Sequence, residues 1–200
     1  MIPAVILAGG KSTRMGGGHK CLLPLGGTTI LSRIIETLRP QVKDMLLNVN
    51  GDTAPFTSFG LRIEPDTIGG AQGPLAGVLA GMLWSRRCYP EEAFLLSVPS
   101  DTPMLPPDLV ARLSASLTQQ KADLSIACSI DGIHPTIALW PVDLAERLEH
   151  DLMETNLRSV QDWAKQFRVA LTRFEEGALA NINTPAELKT LEWCQASRFA

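Results

Sequence analysis

The sequence predicts an α/β protein: a three-layer α/β/α sandwich built on a mainly parallel sheet, in a single domain that spans residues 1–200. Two observations predict this fold. Short apolar runs, typical of strands buried on both faces, alternate along the chain with stretches of helical periodicity. The composition, 45% hydrophobic and 20% charged over 200 residues, is that of a globular protein and excludes a disordered one.

The first half of the chain is predicted to hold four strands and two helices. Residues 2–7 are apolar and stop at two glycines, which predicts a buried strand. Isoleucines and leucines at helical spacing predict a helix over residues 28–38, which Pro40 ends. The other elements predicted here are strands over 45–49, 61–63 and 93–98 and a helix over 74–86 with proline at its start.

The second half is predicted to continue the alternation. Leucines spaced by four residues give an amphipathic helix over residues 106–119. The remaining predicted elements are strands over 123–128, 136–140 and 168–174, helices over 143–152 and 157–167, and a final helix from Pro185. In a parallel sheet, ligands bind at the carboxyl ends of strands, where the strand order reverses. The residues just after 7, 49, 63 and 98 are therefore the first candidates for a site.

Charge is distributed unevenly along the chain. The net charge is -3, yet the first 35 residues carry +4 and no acidic residue, which leaves -7 for the remaining 165. The four cations are Lys11, Arg14, Lys20 and Arg33. A cationic segment in an acidic protein indicates a small anionic ligand, and the overall balance argues against a nucleic-acid partner.

Other features favour a cytoplasmic protein with no membrane partner. The longest apolar stretch, residues 73–84, is shorter than the ~20 residues of a membrane helix, and the N-terminus is a poor signal peptide. The four cysteines form no CxxC pair, so neither a zinc site nor a disulfide framework is expected. We expect reduced thiols and a monomer.

A glycine-rich segment follows the first strand. It runs Leu-Ala-Gly-Gly-Lys-Ser-Thr-Arg-Met-Gly-Gly-Gly-His-Lys over residues 7–20. Glycines let backbone N–H groups approach an anion, while Arg14 and Lys20 supply positive charge. The spacing fits neither the P-loop nor the dinucleotide fingerprint. A flexible glycine turn with solvated charges is the alternative.

Polar residues follow the other strands. Asp101, just beyond a buried strand, is well placed to hold Mg²⁺ against phosphate oxygens; the alternative is a turn or capping aspartate. Asn48 and Asp66 follow the second and third strands and, taken singly, are ordinary turn formers.

Two later motifs carry further candidates. His134, which precedes a proline, either marks the edge of a strand or has a functional role. A capping box of Thr184 and Glu187 explains those two residues but not Asn181 or Asn183.

Together these motifs resemble the molybdenum cofactor guanylyltransferases, within the glycosyltransferase-A-like nucleotidyltransferases. The resemblance covers nearly the whole chain and includes the glycine-rich segment, Gly-Pro-Leu-Ala-Gly at 73–77, Asp-Thr-Pro at 101–103, His-Pro-Thr at 134–136 and Asn-x-Asn-Thr-Pro at 181–185. Related enzymes that use cytidine typically carry Leu-Ala-Ala-Gly, where this chain has Gly9. His19 departs from the family, which often has an acidic residue there.

The resemblance implies a Rossmann-like sheet of the nucleotide-diphospho-sugar transferase type and a reaction of GTP with molybdenum-loaded molybdopterin. The products would be the guanine dinucleotide cofactor and pyrophosphate. Arg14, Lys20 and Asp101 would be catalytic, with Asp101 holding Mg²⁺. The implied GTP-binding residues are Leu7, Ala8, Gly9, Gly10, Lys20, Asn48, Asp66, Gly77 and Asp101. His134, Asn181 and Asn183 would lie on the molybdopterin side.

Two alternatives stay open at this point. One is another nucleotidyltransferase of the same fold, for example a molybdopterin cytidylyltransferase. The other is a non-catalytic nucleotide-binding protein, which would not require a metal-binding carboxylate.

Molybdenum-insertion proteins and acceptor apoenzymes are the expected transient partners.

Overall fold

A seven-stranded sheet organises the computed structural model, which describes residues 1–9, 19–69, 73–155, 157 and 159–182. The strands are β1 (Ala4–Leu7), β4 (Met45–Asn48), β5 (Arg62–Glu64), β6 (Phe94–Pro99), β7 (Leu124–Ser129), β8 (Gly132–Pro141) and β9 (Val169–Arg173). Two further short strands, β2 (Pro24–Leu25) and β3 (Thr28–Thr29), form a separate hairpin. The order across the large sheet is β5-β4-β1-β6-β8-β7-β9.

Six of these seven strands run in one direction, and β8 is antiparallel to its neighbours β6 and β7. From β1 the chain moves outward to β4 and β5, then returns to β6 on the opposite side of β1. The strand order therefore reverses at β1. Its carboxyl end, at Leu7, is where an open α/β sheet forms its binding crevice.

Helices cover both faces of the sheet. They are α1 (Ile30–Leu38), α2 (Pro74–Cys88), α3 (Leu109–Gln119), α4 (Ala145–Glu154) and α5 (Val160–Ala164). The core is divided accordingly: Ala4 and Ile6 of β1 pack with α1 and α3, whereas Val5 packs with α2, α4 and α5. The predicted three-layer fold with a mainly parallel sheet is confirmed.

Several elements differ from the predicted bounds. Helix α1 begins at Ile30, because Thr29 caps it by accepting a hydrogen bond from the Ser32 amide (3.1 Å). A 3-10 helix over Ala54–Phe59, which was not predicted, buries Phe56. Helix α5 is shorter than predicted and β8 is longer.

Two further predictions concern the final helix and membrane-spanning segments. The final helix from Pro185 lies outside the described residues. Among the helices that are described, none has both the length and the apolar character of a membrane span.

Candidate active site

The ends of three adjacent parallel strands bring the predicted site residues together. Leu7 is in register with Asn48 on one side and Pro99 on the other. Beyond the strands, the Ala8 amide donates to the Asn48 carbonyl (2.9 Å), and the Ser100 amide donates to the Leu7 carbonyl (3.1 Å). The residues that follow β1, β4 and β6 therefore leave the sheet side by side, and the segment after β6, which begins at Ser100, is called the Asp101 loop below.

Lys20 and Asp101 form an ion pair at this edge. Lys20 Nζ lies 3.1 Å from Asp101 Oδ2, and their side chains are 13% and 29% exposed. The other carboxylate oxygen, Oδ1, is buried and has no hydrogen-bond partner among the described residues. A buried acceptor without a partner is costly unless a ligand or ion completes it. The pair thus presents a shielded cation beside a carboxylate oxygen that lacks a donor.

A short 3-10 helix over Lys20–Leu22 positions the lysine. The next residue, Cys21, is buried and lies near Ser100. Burial raises the pKa of this thiol to about 11 against the smaller opposing effect of Ser100, so it stays protonated. A protonated thiol in the core has a packing role rather than that of a nucleophile.

His19, the departure from the family pattern, has a packing role. Its ring meets that of the buried Phe56 edge-on, with centroids 4.6 Å apart. This contact ties the end of the glycine-rich segment to the 3-10 helix that follows β4.

Asp66 is held by two asparagines. Its Oδ1 accepts from Asn48 Nδ2 (3.0 Å), and its Oδ2 accepts from Asn50 Nδ2 (2.7 Å). Asn50 Oδ1 in turn accepts from the Asp66 backbone amide (2.9 Å). The side chain of Asn48, which is 2% exposed, also donates to the Glu64 carbonyl (3.3 Å). The Nδ2 group of Asn48 therefore donates its hydrogen bonds within the protein. Asp66 is the residue of this group whose negatively charged carboxylate can accept further hydrogen bonds from a ligand.

Glycines lie against both asparagines. A Cβ at Gly77 would collide with Asn48 Oδ1 and lie 2.7 Å from Leu7 Cδ2, so α2 can pack this closely only with glycine there. A Cβ at Gly9 would lie 2.8 Å from Asn50 Nδ2. Gly9 and Gly77 thus make room for the group that holds Asp66.

Asn181 lies beside the Asp101 loop. The buried Thr102 donates its hydroxyl to Asn181 Oδ1 (2.5 Å), and the Ile182 amide donates to the Asp101 carbonyl (2.9 Å). The carbonyl end of the Asn181 amide therefore accepts a hydrogen bond, and within the part of the chain that the structure describes its NH₂ group donates none.

His134 lies on β8, whose antiparallel direction brings its first residues to the carboxyl end of β6. Its Nε2 hydrogen-bonds to Ser129 Oγ (2.8 Å), which also accepts from the Asp131 amide (3.1 Å). Burial lowers the pKa of His134, and the charge of Asp131 opposes this less strongly. These contacts lie at the β7–β8 turn, and β8 itself lies between β6 and β7 rather than at an edge of the sheet.

Some residues of the predicted set lie outside the described residues: Gly10, Arg14 and Asn183. Sequence reasoning missed Cys21, Asn50 and Thr102. The Asn-x-Asn spacing at 48 and 50 was the available signal for Asn50, because Asn48 ends β4 and Asn50 follows it at the predicted crevice. For Thr102 the partner is 79 residues away, and no local pattern indicates it.

A family model described as the MobA-like NTP transferase domain matches residues 4–169 of this chain. Named relatives are similar over almost their whole length. A molybdenum cofactor guanylyltransferase of Rhizobium meliloti is 44% identical, over 95% of this chain and 90% of its own. Another protein of that name, from Bradyrhizobium sp., is 40% identical over 96% and 92%.

Solved structures share the fold at low sequence identity. Molybdopterin-guanine dinucleotide biosynthesis protein A from Archaeoglobus fulgidus has a TM-score of 0.73 at 18% identity, covering 98% of this chain and 100% of its own. A 4-diphosphocytidyl-2C-methyl-D-erythritol synthase from Anaerococcus prevotii has a TM-score of 0.74 at 14% identity, covering 98% and 96%. The fold is thus common to enzymes that are named for different bases, whereas the two sequence relatives above are named for one. The chain therefore belongs to the MobA-like NTP transferase family, in its group of molybdenum cofactor guanylyltransferases.

Proposed function

We propose that this chain transfers GMP from GTP to the terminal phosphate of molybdenum-loaded molybdopterin, giving the guanine dinucleotide cofactor and pyrophosphate. One structural observation supports it above the others: Lys20 and Asp101 are paired at the point where the strand order reverses. A cation and a carboxylate at that position suit a reaction between two anions.

The reaction needs positioning and charge neutralisation rather than a covalent enzyme intermediate. An oxygen of the terminal phosphate attacks the α-phosphorus of GTP. A new phosphoanhydride bond forms as the bond from the α-phosphorus to the bridging oxygen breaks, and pyrophosphate carries away that electron pair. Lys20 donates hydrogen bonds to the triphosphate and stabilises the charge that develops on the leaving group. Arg14 shares this task in the proposal.

Mg²⁺ is the proposed metal, and the chemistry of Asp101 fits it. The described residues include no cluster of three His, Cys, Asp or Glu that could hold a metal. Mg²⁺ does not require one, because it commonly binds one or two carboxylates together with substrate phosphates and water. Asp101 Oδ1, buried without a donor, is the oxygen that would hold it. When bound, the ion would neutralise phosphate charge.

The two substrates are assigned to the two sides of Asp101. Leu7, Ala8, Gly9 and Gly10 offer backbone groups to the nucleotide, and the edge of Asp66 offers acceptors to its nucleoside portion. On the other side, the free NH₂ group of Asn181 would donate to molybdopterin, with Asn183 and His134 nearby in the proposal. Monomeric state, cytoplasmic location and transient contact with molybdenum-insertion and acceptor proteins stay predictions.

Release of pyrophosphate tests whether this chain is a catalyst or only binds nucleotide. The protein is incubated with GTP, Mg²⁺ and molybdenum-loaded molybdopterin, and pyrophosphate is measured over many turnovers. We expect release only when all three are present. Binding of GTP without any release would favour the non-catalytic alternative.

A further inference from the structure

The Asn50 side chain makes two hydrogen bonds to Asp66, although it lies in an exposed loop. It lies two residues beyond the end of β4, in an exposed loop, where a side chain is ordinarily solvated. Instead both ends of its amide engage Asp66: Nδ2 donates to Oδ2 (2.7 Å), and Oδ1 accepts from the backbone amide (2.9 Å). This pairing fixes Asp66 at two points.

The pairing leaves the carboxylate oriented but not saturated. Each oxygen of Asp66 accepts one asparagine N–H, from Asn48 or Asn50, and a carboxylate oxygen can accept two. Two neighbouring donors of a nucleoside, such as the N1–H and exocyclic amine of guanine or the two ribose hydroxyls, match the remaining capacity. Such recognition depends on the carboxylate being held in one orientation before the ligand arrives.

Gly9 lies directly against this arrangement. A Cβ there would lie 2.8 Å from Asn50 Nδ2, the atom that donates to Asp66. Because Asn50 is exposed, it can move aside at little cost to stability, but its bond to Asp66 would then be broken. The glycine is therefore explained by the space that Asn50 needs.

We propose that Asn50 is a positioning residue for GTP: it orients the Asp66 carboxylate toward the nucleoside, and Gly9 leaves room for it to do so. This inference rests on the proposed use of GTP and on Asp66 facing its nucleoside portion. Asn50 acts through Asp66, so its loss weakens nucleotide binding more than it slows the chemical step.

The first test is Asn50→Ala, with GTP and Mg²⁺ as the binding probe and with molybdenum-loaded molybdopterin added when turnover is measured. We expect the Kd and KM for GTP to rise about 10-fold, because a hydrogen bond to a charged group is lost. The kcat at saturating GTP should change little. Asp52→Ala is the matched control: Asp52 lies in the same loop and hydrogen-bonds to the Ala54 amide (3.0 Å). It should bind GTP like the unaltered protein.

A second variant separates orientation from simple loop structure. Asn50→Asp keeps the shape and the acceptor for the Asp66 amide, but places a second carboxylate against Asp66. Two carboxylates at this distance share a proton more readily as the pH falls. The shared proton restores the missing donor. The Kd for GTP of Asn50→Asp, divided by that of the unaltered protein, should therefore decrease as the pH is lowered from 8 to 5.5. A solely structural loop residue would give a constant ratio.

A double-mutant cycle tests the role of Gly9. Gly9→Ala should weaken GTP binding in the unaltered protein, but add little in the Asn50→Ala background, where the displaced atom is already gone. Full additivity would contradict the link between the two residues.

The outcomes are distinguishable from failure of the proposed function. If the unaltered protein binds GTP and forms the guanine dinucleotide, yet Asn50→Ala has a normal Kd and KM, the inference is overturned and the function stands. If the unaltered protein does not use GTP, the proposed function itself fails, and this inference fails with it.

Discussion

Lys20 and Asp101 come from segments 81 residues apart and meet across the strand ends. A part-buried ion pair of this kind is weak evidence for stability, because the cost of removing both charges from water offsets much of their attraction. The value of this pair lies instead in holding opposite charges, one cationic and one anionic, at fixed positions on the edge where the substrates would meet. Pre-set charges of this kind avoid reorganisation when charge moves during the reaction.

Replacing Asp101 by asparagine tests this arrangement at the scale of one residue. Asp101→Asn keeps the shape but removes the formal charge that would hold Mg²⁺ and that pairs with Lys20. We expect turnover to fall at least ~100-fold with the fold retained, the usual size of one preorganised electrostatic contact. Mg²⁺-dependent pyrophosphate release is the measurement, and circular dichroism monitors the fold.

Asp108→Asn is the control for that experiment. Asp108 lies exposed before α3 and makes no side-chain capping hydrogen bond there. It should retain near-normal turnover. Normal Mg²⁺-dependent turnover in Asp101→Asn would remove Asp101 from the mechanism.

At the scale of elements, the approach of α2 to the strand ends supports the site. Gly77 faces Asn48 and Leu7, whereas Gly81, one turn later, faces Val5 and Leu95 in the core. Both glycines allow close packing, but only Gly77 adjoins the residue that holds Asp66. Variants at the two positions therefore distinguish an effect on helix packing from an effect on nucleotide binding.

Alanine at each glycine exploits this difference. Gly77→Ala and Gly81→Ala should both lower the Tm, because overpacking a core typically costs about 1–3 kcal/mol. Only Gly77→Ala should also weaken GTP binding, by displacing Asn48 from Asp66. Differential scanning calorimetry and GTP titration measure the two effects. Equal loss of GTP affinity in both variants would show that helix packing in general, not Asn48, controls binding.

The turn between β7 and β8 should show a pH dependence that His134 causes. Burial lowers the pKa of His134, so below an ordinary histidine pKa of about 6.5 the unfolded chain takes up its proton first. The contribution of neutral His134 to the stability of the fold is therefore complete above that pH. It is lost as the pH falls through the lowered pKa that His134 has in the folded state. We expect His134→Gln to give a shallower fall of Tm between pH 7 and pH 5. An unchanged slope in this variant would contradict the assignment.

At the scale of the whole molecule, the sequence predicted what periodicity and strand-end chemistry encode. The strands around β1 and the helices that cover them were predicted, as was the meeting of Asn48, Asp66 and Asp101 at one edge. The antiparallel direction of β8 was not, because alternation along a strand carries no information about its direction. The contact of Thr102 with Asn181 was missed because sequence pattern does not indicate a pairing across distant loops.

The base that the chain uses was not decided by its fold, which it shares with a diphosphocytidyl enzyme. A site built to hydrogen-bond particular groups rejects analogues that lack them, because its buried polar atoms are left unpaired. The paired acceptors of Asp66, which Asn48 and Asn50 hold in place, suit the adjacent N–H donors of guanine. We therefore expect GTP to be preferred over CTP and ATP by at least ~100-fold in kcat/KM.

The most direct test of the central claim offers the protein all four nucleotides. Molybdenum-loaded molybdopterin is incubated with Mg²⁺ and each of GTP, CTP, ATP and UTP, and the dinucleotide product is identified by mass. The account predicts the guanine dinucleotide as the dominant product, with the other three nucleotides giving little. Cytosine dinucleotide formed as readily from CTP as the guanine product from GTP would contradict it.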